Sequence, residues 1–293
     1  MPAIDKVSTE KHEGDIVCIA SYGDQIFTGG ADGKIKIWDK DLNLVKSVDA
    51  HESYIYALAV NSKGKLYSSS CDGCVKFMQP PYDKVEELLR CDDVIQSMYC
   101  EGDVLFTGDD KGVVSNWEND KMIFKYNLVE EVKSLAAEKG WIYTVRDLDM
   151  VISEIVQGKS GKYVTKAVLP GKSPLCLVTS TDDGRHKYIA VADRTGKGFF
   201  IASNSMADKF KVLIEQQDCH EMIINAICTD DTHLYTGGYD NKVKGWSDLS
   251  QGKLKALGEV DTGSCVNALC CCANNKAVYI ACSDGLVRRA NFL

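Results

Sequence analysis

The sequence predicts an all-β fold, a seven-bladed β-propeller of four-stranded antiparallel blades, and three observations carry that prediction. Residues 28–39, "TGGADGKIKIWD", return almost unchanged at 236–248 as "TGGYDNKVKGWSD". The flanking sequence repeats with them, and fainter copies bring the total to seven, about 42 residues apiece, which is the period of a four-strand blade. Within the copies, short runs rich in Val, Ile and Tyr alternate with Gly, Asp and Asn turns, the pattern of strands joined by tight hairpins.

The copies can be taken in order. The first opens with "HEGDIVCIASYGDQIF" (12–27), and its strands fall near 16–20, 25–29, 34–38 and 43–48. Its "DG" suits a turn that needs positive φ. The second starts at His51, "HESYIYALAVNSKGKLYSSSCDGCVKFMQ". The third, "VIQSMYCEGDVLFTGDDKGVVSNW" (94–117), keeps Thr-Gly and Trp without a histidine. The fourth (132–155) and fifth (175–201) keep mainly the apolar outline. The sixth opens with "HEMIINAICTDDTHLY" (220–235), echoing the first, and the seventh (265–292) keeps an Asp-Gly turn. Blades should therefore begin near 12, 51, 92, 128, 171, 220 and 261 of one domain spanning 1–293. The last copy offers three strands, whereas "AIDKVST" (3–9) is a spare extended run. That run is expected to complete the last blade and close the ring, which leaves no sheet edge open between the chain ends.

Composition narrows the class of function. Apolar residues make up 45% and charged residues 26%, and the net charge is −8 without a block of like charges. That balance argues against non-specific nucleic-acid or anionic-membrane binding and favours neutral or basic partners. No apolar run approaches a membrane span, and "MPAIDKVSTEKHEGD" lacks the apolar core of a signal peptide. Thirteen cysteines, an odd number without a disulfide framework, read as reduced thiols of a cytoplasmic or nuclear protein.

With "KIKIWD" at 34–39 and "VKGWSD" at 243–248, the chain resembles the tryptophan–aspartate (WD) repeat family of β-propellers. The resemblance implies buried tetrads of His, Ser or Thr, Asp and Trp. The matching residues are His12, Thr28, Asp32 and Trp38 in copy one, and His220, Thr236, Asp240 and Trp246 in copy six. Copy two supplies His51, Ser68 and Asp72, with Met78 in place of the Trp. In copy three Lys111 takes the Asp slot beside Asp110; copy seven keeps Asp284 but has Ala290 for Trp.

A hydroxyl, a histidine and a carboxylate in contact also describe a catalytic triad, but recurrence in a repeat slot marks a structural set. "CDGC" (71–74) has metal or redox spacing, yet Cys71 and Cys74 flank a hairpin turn and no second CxxC follows. "CCC" (270–272) reads as small side chains ending an inner strand. The paired arginines of "LVRRANF" (286–292) read as solvated strand residues. Phosphate-loop, dinucleotide and nucleophile signatures are missing from the sequence, so neither a cofactor nor an enzymatic activity is expected.

The resemblance further implies that partners dock on the top face around the central channel. By slot, that face carries Asp15, Tyr54, Tyr56, Ile223, Asn225, Tyr239, Asp110, Lys133 and Arg194, and Leu175 in copy five. Tyrosine combines a large apolar ring with a polar tip and is enriched at binding hot spots. The acids nearby favour a protein or peptide with basic residues. The expected function is a scaffold or adaptor, monomeric alone or a subunit of a complex. A second reading is a substrate-receptor or adaptor subunit of a ubiquitin ligase or other multiprotein assembly, against which stands the missing "WDxR".

Overall fold

The computed structural model describes residues 1–158, 160–182, 184–249, 254–272 and 276–292. Among the described residues, twenty-eight strands form seven four-stranded antiparallel sheets, arranged as blades in a ring. Blade one consists of Ile16–Tyr22, Gln25–Gly30, Lys34–Asp39 and Leu44–Asp49, in that order from the channel outward.

Strand sequences follow their radial position. Inner strands are covered on both faces by neighbouring blades, so Gln25–Gly30 is buried at every residue after the first. The outermost strand, Leu44–Asp49, alternates between half-buried and exposed, the period-two pattern of one covered face. Apolar side chains accordingly gather between blades, with one cluster at each of the seven boundaries. Phe27, Ile35 and Ile37 of blade one meet Ile55, Leu58 and Leu66 of blade two, while Ile16 and Trp38 meet Tyr279 and Val287 of blade seven.

This stacking explains the recurrent Thr-Gly. A Cβ on Gly29 would lie 2.8 Å from the Ile55 side chain, and one on Gly237 would lie 2.6 Å from that of Val266. Only glycine lets the second strand come so close to the next blade's first strand.

The N-terminal strand, Ala3–Val7, pairs antiparallel with Val287–Asn291 and completes blade seven. The ring is therefore closed by the two ends of the chain. The paired arginines belong to this closure, which corrects their reading as solvated residues. Arg288 is buried and bonds both carboxylate oxygens of Asp284 at 3.0 and 2.6 Å. Arg289 reaches Asp5 of the closing strand and Asp41 of blade one. Strand alternation sends the two side chains to opposite faces of the blade, where each finds its own carboxylate.

Candidate protein-docking face

In each blade the turn between the second and third strands lies at the same end as the segment entering the first strand. We call this end the upper face. In blade one Thr28 Oγ1 accepts from Trp38 Nε1 at 2.9 Å and donates to His12 Nε2 at 2.8 Å. His12 Nδ1 then donates to Asp32, 3.0 and 3.1 Å from its two oxygens. Asp32 also accepts from the backbone N–H groups of Glu13 and Lys34, tying the entering segment to the turn. Blade six repeats the set: Trp246 to Thr236 at 3.1 Å, Thr236 to His220 at 2.9 Å, and His220 to Asp240 at 2.9 Å. Blade two has His51 between Ser68 (2.8 Å) and Asp72 (2.9 Å), with buried Met78 where the indole would be.

Burial holds His12, His51 and His220 below the usual histidine range, outweighing the upward pull of their carboxylates. For Asp32 and Asp72, burial pushes the pKa up, but hydrogen bonds from histidine and backbone outweigh it and hold them low. In blades one and two each pair is thus a neutral imidazole donating to a carboxylate. These side chains are buried, Thr28 and Thr236 completely, so a substrate would have no access to their hydroxyls.

Blade three solves the same problem differently. Asp109 lies opposite Ile95 as Gly30 lies opposite Ile16, and a Cβ on Gly30 would collide with the His12 ring and the Asp32 carboxylate. Without a histidine that space is open, and Asp109 fills it. Its carboxylate accepts from Lys111 N (3.0 Å) and Val113 N (2.7 Å), capping the turn from inside. Thr107 and Trp117 keep their bond at 3.2 Å.

The docking slots are joined across the upper face. Ala31 N bonds Asp15 O, Cys71 N bonds Tyr54 O, and Tyr239 N bonds Ile223 O, all at 2.9–3.0 Å. Asp110 N to Val94 O repeats the bond in blade three at 3.0 Å. Tyr56, Gln96, Lys133, Pro174, Asn225 and Asn267 line the channel, a cavity of about 280 Å³. Blade five departs from the slot alignment. Its first strand leaves two residues, Ser173 and Pro174, unpaired before Leu175, where blades one, two, three, six and seven leave one; Leu175 lies opposite Val191 one slot deeper than expected, and Pro174 stands at the channel.

The family described as "WD domain, G-beta repeat" matches residues 5–39, 42–77 and 211–247. Three segments of the chain thus match the WD repeat. No curated protein matches the sequence. Among solved structures, the crystal structure of the WD40 beta propeller domain of Doa1 is similar at a TM-score of 0.81 and 14% identity, covering 99% of this chain and 97% of that one. The structure of U3-55K is similar at a TM-score of 0.82 and 13% identity, covering 99% of both chains. At these identities the likeness is one of fold.

On this propeller the charged rim residues are largely paired among themselves. Lys133 lies 3.5 Å from Asp147 and 3.6 Å from Glu131, while Arg194 bonds Asp149 at 2.7 Å. Asp110 accepts from Val94 N at 3.2 Å and has Lys111 3.4 Å away; Asp15 is exposed. Tyr54 and Tyr56 are half-buried and meet edge to face with centroids 5.1 Å apart. Burial pushes Tyr54 up to about 12, with Tyr56, Asp15 and Tyr239 near enough to add to the effect. On the facing side, Met222, Ile223 and Tyr239 form an apolar patch, exposed by 51%, 39% and 40%. Met222 escaped the slot analysis because it precedes the slot of Ile223; only its exposure singles it out. All thirteen cysteines are free thiols: Cys71 is exposed at the rim, whereas Cys74 is buried with Sγ 3.6 Å from Glu87. Among the described residues, His, Cys, Asp and Glu side chains form no group of three or more that could hold a metal ion. Nor, among those residues, is any helix long and apolar enough to cross a membrane.

Proposed function

We propose that this WD propeller is a non-enzymatic scaffold that binds a protein or peptide on its upper face. WD propellers typically serve as protein-interaction scaffolds, and the observation that carries the reading here is the pairing of two surfaces at one channel mouth. Half-buried Tyr54 and Tyr56 sit on one side, and exposed Met222, Ile223 and Tyr239 on the other. Aromatic anchors beside apolar side chains are the composition of an interface centre rather than of its rim. Asp15, exposed beside them, favours a basic residue on the partner; Lys133 and Arg194, already paired, contribute position rather than free charge.

The test is partner capture by variants whose folding is followed in parallel. Tyr239→Ala and Ile223→Asp, both at exposed positions, should abolish capture of the partners held by the unaltered chain and leave the melting temperature unchanged. Tyr54→Ala should weaken capture with a modest loss of stability. Undiminished capture by both exposed variants would place the interface elsewhere.

A further inference from the structure

The inner strands of blades six and seven, Ile224–Thr229 and Val266–Cys271, lie beside each other in the channel wall. Near the ends of these strands, away from the tetrads, Cys228 and Cys271 meet with their Sγ atoms 3.4 Å apart. Cys228 is buried and Cys271 half-buried, so one sulfur is sheltered while the other can be approached.

This contact is made by the stacking of blades, not by the run of three cysteines. Strand alternation sends Cys270 to the apolar cluster between blades seven and one, and Cys271 to the cluster between blades six and seven. Cys272 donates to Gly23 O at 3.0 Å. Other thiols are engaged singly: Cys18 with the backbone carbonyls of Gly29 and Ile55, Cys74 with Glu87.

The distance and the surroundings select what the pair can hold. Tyr235, Val266, Leu269 and Val278 pack in the same cluster, and burial pushes the Cys228 thiol well up. A ligand that leaves charge on two thiolates is therefore disfavoured here. Structural zinc takes four ligands, whereas among the described residues His, Cys, Asp and Glu form no group of three that could hold a metal ion. With bonds of about 2.3 Å, the length of a metal–thiolate bond, two sulfurs stand about 4.6 Å apart on a linear centre and about 3.8 Å apart on a tetrahedral one. A pyramidal centre with bonds near a right angle holds them about 3.3 Å apart. The observed separation suits the pyramidal centre.

We propose that Cys228 and Cys271 form a dithiol site for a trivalent arsenical, whose arsenic is pyramidal and thiophilic. The step is substitution without oxidation. Each arsenic–hydroxide bond of an arsonous acid breaks as an arsenic–sulfur bond forms, and the thiol proton leaves with the hydroxide as water. Two thiols thus release two waters, arsenic stays trivalent, and the product brings no charge into the apolar cluster. Cys271 reacts first because it can be reached; closure onto Cys228 is then intramolecular, at high effective concentration. The bridge joins the inner strands of two blades and is independent of the proposed docking on the upper face.

Phenylarsine oxide, which hydrates to an arsonous acid, tests the proposal on the intact, fully reduced chain under native conditions. Intact mass and peptide mapping read the product. One phenylarsenic group should be gained with the loss of two hydrogens, bridging the peptides of Cys228 and Cys271. Ethanedithiol should remove it, and mercaptoethanol at the same thiol concentration should not. Cys271→Ser and Cys228→Ala should each weaken binding at least about tenfold, with melting recorded for both because Cys228 is buried. Cys71→Ser should bind as the unaltered chain does. Undiminished binding by either variant of the pair, release by the monothiol as readily as by the dithiol, or a bridge at Cys71 and Cys74 instead would overturn the proposal.

Discussion

Arg289 donates to both carboxylate oxygens of Asp5 at 3.0 Å, joining the last strand of the chain to the first. The same guanidinium bonds Asp41 at 3.0 Å and Lys40 O at 2.7 Å, so one side chain binds the closing strand, blade seven and blade one. Bidentate geometry and three acceptors set it apart from an ordinary surface ion pair. Arg289→Ala should therefore lower stability by about 1.5–3 kcal/mol in denaturant titration, the range for hydrogen bonds to charged groups. Removal of residues 1–9 should cost far more, because it strips a whole strand from Val287–Asn291. A truncated chain with the melting temperature of the intact one would refute closure by this strand.

The three tetrad histidines predict an acid limit above the carboxylate range. His12, His51 and His220 are held neutral by burial, whereas in the unfolded chain histidine takes a proton near pH 6.5. The unfolded chain thus binds more protons below that pH, and stability should fall as pH drops from about 6.5 towards the lowered folded values. Equilibrium unfolding measured between pH 8 and 5 checks this. Replacing His220 by Asn should flatten the slope by one histidine's share, at the cost of stranding Thr236 and Asp240.

Asp109 should behave in the opposite sense. Burial raises its pKa against the two backbone donors, and Asp93 and Asp110 nearby add to the rise. Its folded form therefore favours the proton more than the unfolded form does, and this contribution declines as pH rises from about 4 through the folded value. Asp109→Asn keeps an acceptor for Lys111 N and Val113 N without the charge and should equal or exceed the original stability at pH 7. Asp109→Gly, which restores the residue of blades one and six, should instead cost about 1–3 kcal/mol, because no histidine–aspartate pair is there to fill the space. A glycine variant as stable as the original would show that the turn does not need this carboxylate.

The difference between Gly30 and Asp109 marks how far the sequence could be read. Seven blades, their strand order and the closing run were legible because each copy repeats the same hairpin chemistry and the same close approach at Gly29 and Gly237. Asp109 was not, because slot alignment compares residues one by one. Here a side chain two positions before the Asp slot caps the turn that Asp32 caps in blade one. The role of Arg289 was hidden for a related reason: its partner Asp5 lies at the other end of the chain. Cys228 and Cys271 belong to different blades, so no spacing rule connects them. The slot positions follow the strand register, except in blade five, where one unpaired residue more than in its neighbours shifts the slot to Pro174.

The cysteines offer a last prediction, about which of them meet. Cys228 of blade six and Cys271 of blade seven lie with their sulfurs 3.4 Å apart, on neighbouring inner strands. Burial pushes the Cys228 thiol well up, so it carries little of the reactive thiolate. Exposed Cys71 should therefore be alkylated first by iodoacetamide in the native chain, and Cys228 only as the ring unfolds. Diamide, which removes one hydrogen from each of two thiols and becomes the hydrazine, should slowly join Cys228 to Cys271, because these sulfurs are already in contact. Peptide mapping without reductant reads the product. A Cys71–Cys74 link formed instead would revive the redox reading of "CDGC", since Cys74 would then have to leave its place beside Glu87 to reach the rim.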